Sequence, residues 1–215
     1  MEIERSVSPF FKIARKYFPL IKVGMELGLT ANRHLDEKKN FRATPRHELV
    51  VATICDTLGR SLGLDSATQE QLNRTALVHD ADKKLEIRPK EFIPQQTAVL
   101  ERFMASRDRD LIAATKEQFV KDYKDKIDVI SLPQMLLYYA DMLVSWDQIT
   151  TLKDRIAKSR SRRPELSDEF FDTELKFGKA VEQQIFDKLP EDMKQKIGEP
   201  SQMPNYLMSV LCAKR

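Results

Sequence analysis

Apolar residues recur along this chain at spacings of three and four, the period of a helix with one buried face. Over residues 6–27 the stripe is Val7, Phe10, Phe11, Ala14, Phe18 and Ile21, opposite Lys12, Arg15 and Lys16, and Pro19 is placed to kink it. A polar loop over 28–43 leads into a second helix spanning about 45–62. Thr44 is its N-cap and Pro45 sits at N1, where a missing N–H costs nothing. Leu49, Val50, Ala52, Thr53, Leu58 and one of Ile54 and Cys55 form its buried face, and Gly59 and Gly63 bracket its end. A third helix opens at Ser66, with Gln69 completing a capping box, and runs through Leu72 and Ala76 to His79 and Asp80. After a loop over 85–93, helices follow near 94–105 and 109–124. The next opens at Ser131, with Gln134 at N3, and carries Leu136, Leu137, Ala140, Leu143, Val144 and Ile149 on one face. Arg155 to Arg163 is a basic run ending at Pro164. From Ser167 a further helix carries Phe170, Phe171, Leu175, Phe177, Val181 and Ile185, a stripe suited to packing on the domain or to a dimer contact. One or two short helices complete the tail around Pro200 and Pro204.

Composition narrows the class. With 41% hydrophobic and 32% charged residues and only six Gly in 215, the chain suits helices with solvated faces and suits a sheet poorly. The expected fold is all-α, a single helical bundle. A net charge of +3, from 36 basic and 33 acidic residues, does not by itself imply nucleic acid. Cys55 and Cys212 make no disulfide framework, so a reducing cytoplasm is the expected compartment. No signal peptide and no apolar run long enough to span a bilayer are expected.

Three placements call for a chemical explanation. The chain has only three His, and His47 opens the second helix. His79 and Asp80 form a pair where an apolar run, Ala76-Leu77-Val78, meets polar residues at the edge of the core. A neutral imidazole and a carboxylate side by side are nitrogen and oxygen ligands for a divalent metal. Asp141 is a lone carboxylate within the apolar run 136–144, expensive to bury unless it is paired or bound to a cation. Neighbours on a regular helix point about 100° apart, so His79 and Asp80 can share one ion only at a helix end.

A His, then a His-Asp pair, then a distant Asp, all on helices, resembles the HD-domain superfamily of metal-dependent phosphohydrolases. The likeness covers roughly 44–150, with a C-terminal helical extension over about 165–215 and an extra N-terminal helix. It implies that His47, His79, Asp80 and Asp141 hold one divalent ion, of Mn, Fe, Co, Ni, Zn or Mg, which acidifies water for attack on phosphorus. Lys83 matches the Lys that commonly follows the pair and would stabilise the phosphate. Asp82 stands where many relatives have Gly, to orient water or to cap the helix. The stretch between the pair and Asp141 holds no His, which argues for one metal and against the cyclic-di-GMP and CRISPR-nuclease branches. The (p)ppGpp hydrolase branch carries Glu-Asp where this chain has Lys83 and Lys84, which argues against that route.

The expected activity is hydrolysis of a nucleotide or another small phosphate ester. His34, Arg42 and Arg46 are candidate substrate contacts, and Trp146 and Asp147 are candidates for a pocket mouth. Cys55 has no His beside it and is expected to be a core residue, not a nucleophile. Two other readings stand beside this one. The first is a non-catalytic HD fold whose working surface is the helix at 167–189. The second is an RNA-associated phosphodiesterase using the basic run.

Overall fold

A computed structural model describes residues 8–26, 44–80 and 108–211. The expected helix near 94–105 and the loops over 28–43 and 85–93 lie outside these residues. The described chain is all-α apart from one two-stranded hairpin.

The central element is the helix Leu132–Leu143. Its residues 135–140, together with Met142 and Leu143, are all buried, so it is apolar around its whole circumference and not along one stripe. Several other helices pack around it. The long helix Thr44–Ser61 (α3) packs on it, as do Ser66–Ala76 (α4), Leu152–Arg162 (α8) and Asp168–Lys188 (α9). The central helix is α7 in chain order, after the short helices Arg109–Ala113 (α5) and Glu117–Tyr123 (α6). Its start follows the expected chemistry: Gln134 Oε1 accepts from the Ser131 N–H at 3.2 Å and from its hydroxyl at 2.8 Å. Tyr139 donates to the buried Glu182 of α9 at 2.7 Å, tying the two helices together through their cores.

The apolar stripe of α9 is covered. Phe171, Phe177, Val181 and Ile185 are buried, and α9 packs on α7 and α8. Phe177 meets the rings of Phe119 and Tyr138 edge-on. Two short helices, Glu191–Ile197 (α10) and Met203–Leu211 (α11), close the chain around Pro200 and Pro204, as the sequence suggests.

Several boundaries differ from expectation. The N-terminal stretch is two helices, Pro9–Lys16 (α1) and Phe18–Glu26 (α2), broken at Tyr17. Pro19 explains this: its missing N–H and its ring do not tolerate continuation from Arg15, so the break falls just before it. The buried face is also shifted. Ile13 and Tyr17 are buried, while Phe11 is 59% and Phe18 57% exposed. Positions 10, 13, 14 and 17 form the regular stripe, and Phe11 lies about 100° off it. The 109–124 helix is interrupted at 114–116, where Lys116 is extended and the Thr115 hydroxyl bonds back to the Ile112 carbonyl at 2.9 Å.

The cap of α4 is Asp65 and not Ser66. Its carboxylate accepts from the Ala67 and Thr68 N–H groups, both at 3.0 Å, and a carboxylate is the better acceptor at a helix N-terminus. Gln69 is thereby released from capping. It is buried against α3, donating to the Cys55 carbonyl at 3.3 Å and to Asn73 at 2.8 Å. Gly59 makes this contact possible, because a Cβ there would clash with Gln69 Oε1. Gly59→Ala is expected to push the Gln69 amide off the Cys55 carbonyl and Asn73 and to destabilise the fold by about 1–3 kcal/mol, against the usual gain of Ala over Gly in a helix. Urea unfolding measures it, and an unchanged midpoint contradicts it.

Candidate metal centre

Each candidate ligand is set by a different local feature. His47 lies in the first turn of α3. The helix α4 ends at Ala76, and residues 77–80 form turns, so the His79-Asp80 pair sits at a helix end, the one place where adjacent side chains can converge. Asp141 comes from the last turn of α7. It is the least buried residue in the stretch 135–145, facing a cavity and not the core.

The four side chains meet. His47 Nε2 stands 3.3 Å from His79 Nε2 and 3.0 Å from Asp141 Oδ1. Asp141 Oδ1 is 3.5 Å from His79 Nε2. Asp80 reaches His47 Nε2 at 3.7 Å and His79 Nε2 at 3.6 Å. His47, His79 and Asp80 offer ligand atoms all within 4.8 Å of one another, and all three are buried. Atoms bound to one ion at about 2.1 Å stand about 3.0 Å apart across an octahedral edge and about 3.4 Å apart across a tetrahedral one. The observed spacings fall around these values.

The second nitrogen of each imidazole is committed. His79 Nδ1 lies 2.7 Å from the Ala76 carbonyl and His47 Nδ1 lies 3.0 Å from the Trp146 carbonyl. A carbonyl can only accept, so each Nδ1 carries the hydrogen and each Nε2 points its lone pair into the cluster. Two such lone pairs facing each other at 3.3 Å repel unless a cation or a proton lies between them. The electrostatics agree. Burial lowers the His79 pKa, but the carboxylates of Asp80, Asp141 and Glu48 outweigh it and push it up to about 9. Burial raises the Asp141 pKa, but hydrogen bonds from His47 and His79 hold it well below the usual carboxylate range.

The Trp146 carbonyl is aimed by a strained turn. The helix α7 does not continue to Ile149. It gives way to a hairpin that pairs Val144 with Ile149 and Ser145 with Gln148, leaving Trp146 and Asp147 as a two-residue loop. Trp146 has φ +65°, a conformation that normally calls for Gly. Its ring is 40% exposed, outside the core, and the Arg162 guanidinium lies over it 5.1 Å from the centroid.

Other expected site residues fare differently. Lys83, Asp82, Arg42 and His34 lie outside the described residues. Arg46 is exposed and lies 3.6 Å from Asp147. It does not line the cavity beside the cluster. Cys55 is fully buried, and burial, with Asp141 and Asp56 nearby, pushes its thiol up, so it is no nucleophile. In the basic run, Arg160 pairs with Asp172 at 2.7 Å, and Arg163 pairs with Glu117 and with Glu165.

The cavity itself escaped the sequence reading. About 400 Å³ in volume, it is walled by Asp80 and Asp141 together with Tyr138, Arg155, Arg163 and Glu174. Tyr138 precedes Asp141 by three residues and shares its helix face, which was a readable signal. Arg155 was hidden in a run that looks solvated.

Comparison with family models, with curated proteins and with solved structures finds no match for this chain. Among the described residues no helix is long and apolar enough to cross a membrane.

Proposed function

We propose that this chain is a metal-dependent phosphohydrolase of the HD type, with His47, His79, Asp80 and Asp141 as the ligands of a divalent ion. The observation that carries the reading is the pair of Nε2 lone pairs converging at 3.3 Å, each fixed by an Nδ1–H bond to a backbone carbonyl, with two carboxylates against them. Two neutral nitrogens and two anionic oxygens fit a borderline or hard divalent cation. A cation held there would supply acidified water and neutralise charge on a phosphoryl group.

The residues of the chain do the rest. The carbonyl bonds at Nδ1 already orient the His47 and His79 rings, so binding needs no ring rotation, only loss of the His79 proton. Asp80 and Asp141 offset the ion's charge and also line the cavity where a substrate would sit. The cavity volume of about 400 Å³ suits a small molecule. The site reads as a small-molecule phosphohydrolase, because the cluster opens on that cavity and the basic run pairs Arg160 and Arg163 with carboxylates.

The test is elemental analysis of untagged protein purified without added metal, beside the His47→Ala/Asp141→Ala double variant. About one transition metal per chain, lost in the variant, supports the reading. No metal in the wild type, and none taken up when Mn, Co or Ni is supplied, overturns it.

A further inference from the structure

We propose that Tyr138 and Arg155 form an oxyanion subsite in the cavity beside the cluster, built to take the terminal phosphoryl group of a small phosphomonoester. The assignment to a phosphoryl substrate rests on the phosphohydrolase reading above. The subsite itself rests on independent observations.

Tyr138 is 4% exposed, and its hydroxyl is buried with no hydrogen-bond partner. The Nε of Arg155 is also buried without a hydrogen-bond partner. Both residues line a cavity that Asp80 and Asp141 also line. A buried polar group without a partner is costly, so two on residues that line one cavity point to an absent partner. Guanidinium nitrogens only donate, and a phenol readily does so. The missing partner therefore presents acceptors, as an oxyanion does.

The surrounding charges narrow it further. Arg163 is already paired with Glu117 and Glu165. No ion pair engages Arg155 among the described residues. Glu174 shares the cavity wall and feels the Arg155 charge, yet burial still raises its pKa. The cavity wall carries Lys116, Arg155 and Arg163 against Asp80, Glu117, Asp141 and Glu174. A divalent ion at the cluster turns that balance positive, so anion binding should strengthen with metal. Three claims then fall on one anion: the cation, the Tyr138 hydroxyl and the Arg155 Nε–H. A phosphomonoester has three terminal oxygens to meet them and a diester has two.

Arg155 sits on α8, in a basic run that the sequence assigns to solvent, yet it lines the cavity and its Nε is buried.

The experiment is calorimetric titration of inorganic phosphate into the full chain, metal-free and manganese-loaded, with metal content measured on the same samples. Arg155→Met should weaken phosphate binding about tenfold or more, and Tyr138→Phe about threefold to tenfold, with metal content unchanged. Arg155→Lys should recover only part, because it restores charge without the Nε donor. Arg160→Met, on the surface, should leave binding as it is. Arg155→Met binding phosphate as the wild type does overturns the subsite, as does an equal loss in Arg160→Met. So does a wild type that binds no phosphate in either metal state. A wild type that takes up no metal but loses phosphate on Arg155→Met would keep the subsite and sink the phosphohydrolase reading. A preference for p-nitrophenyl phosphate over bis(p-nitrophenyl) phosphate, lost in Arg155→Met, is the expected activity counterpart, and an equal rate on both overturns the monoester assignment.

Discussion

His79→Ala and Asp141→Asn are each expected to lower phosphate-ester hydrolysis about a thousandfold or more, equivalent to about 4 kcal/mol of transition-state stabilisation. The two changes fail for different reasons. His79→Ala deletes a lone pair that the Ala76 carbonyl holds in place at 2.7 Å and leaves a cavity at a fully buried position. Asp141→Asn keeps volume and hydrogen-bonding shape but removes the charge, so it separates electrostatics from packing. Asp141 Oδ1 stands 3.0 Å from His47 and 3.5 Å from His79, so the same change also unbalances both imidazoles. Cys55→Ala is the control, because that thiol is buried and protonated. Steady-state rates on a substrate found by a phosphatase screen, with circular dichroism to check the fold, decide the matter. Asp141→Asn that retains most of the wild-type rate while folded would remove the cluster from catalysis.

The helices and the four residues that converge were legible in the sequence because each depends on local chemistry. Thr44-Pro45 opens a helix whatever packs on it. The apolar-to-polar change at Val78-His79 marks a helix end at the edge of the core, and the structure puts the pair there. Asp141 in an apolar run announces an unusual environment. What sequence could not give was set by the tertiary structure. Nothing local distinguishes Asp65 from Ser66 as the cap of α4, or Ile13 from Phe11 as the buried residue, until α1 and α3 meet. The turn at Trp146 lacks the Gly that such a turn usually signals, so the hairpin that aims its carbonyl at His47 was hidden. Arg155 stands in a run where its neighbours do pair at the surface, and only the packing of α8 on α7 buries its Nε.

Metal-free protein should lose stability as pH rises from about 6.5 through 9, and a divalent ion should restore it. The folded-state pKa of His79, about 9, lies above its ordinary value of 6.5. The stability it contributes is therefore complete below pH 6.5 and is lost as pH climbs through 9, a change on the order of 3 kcal/mol. Asp141 has the opposite sense. Its pKa is depressed, so its contribution is present above the usual carboxylate range and is lost only as strongly acidic pH protonates it. The metal-free fold is thus most stable from mildly acidic to neutral pH, where protonated His79 stands beside the ionised Asp141. The titrating proton of His79 sits on Nε2, the atom a cation would take. Ion binding must displace it, so affinity should tighten with pH and protons should be released on binding. Thermal unfolding at pH 6 and pH 9, with and without manganese, reads both effects: the metal should raise the midpoint more at pH 9. Equal stabilisation at both values, or the same pH profile in His79→Ala, would mean that ion binding displaces no proton from His79.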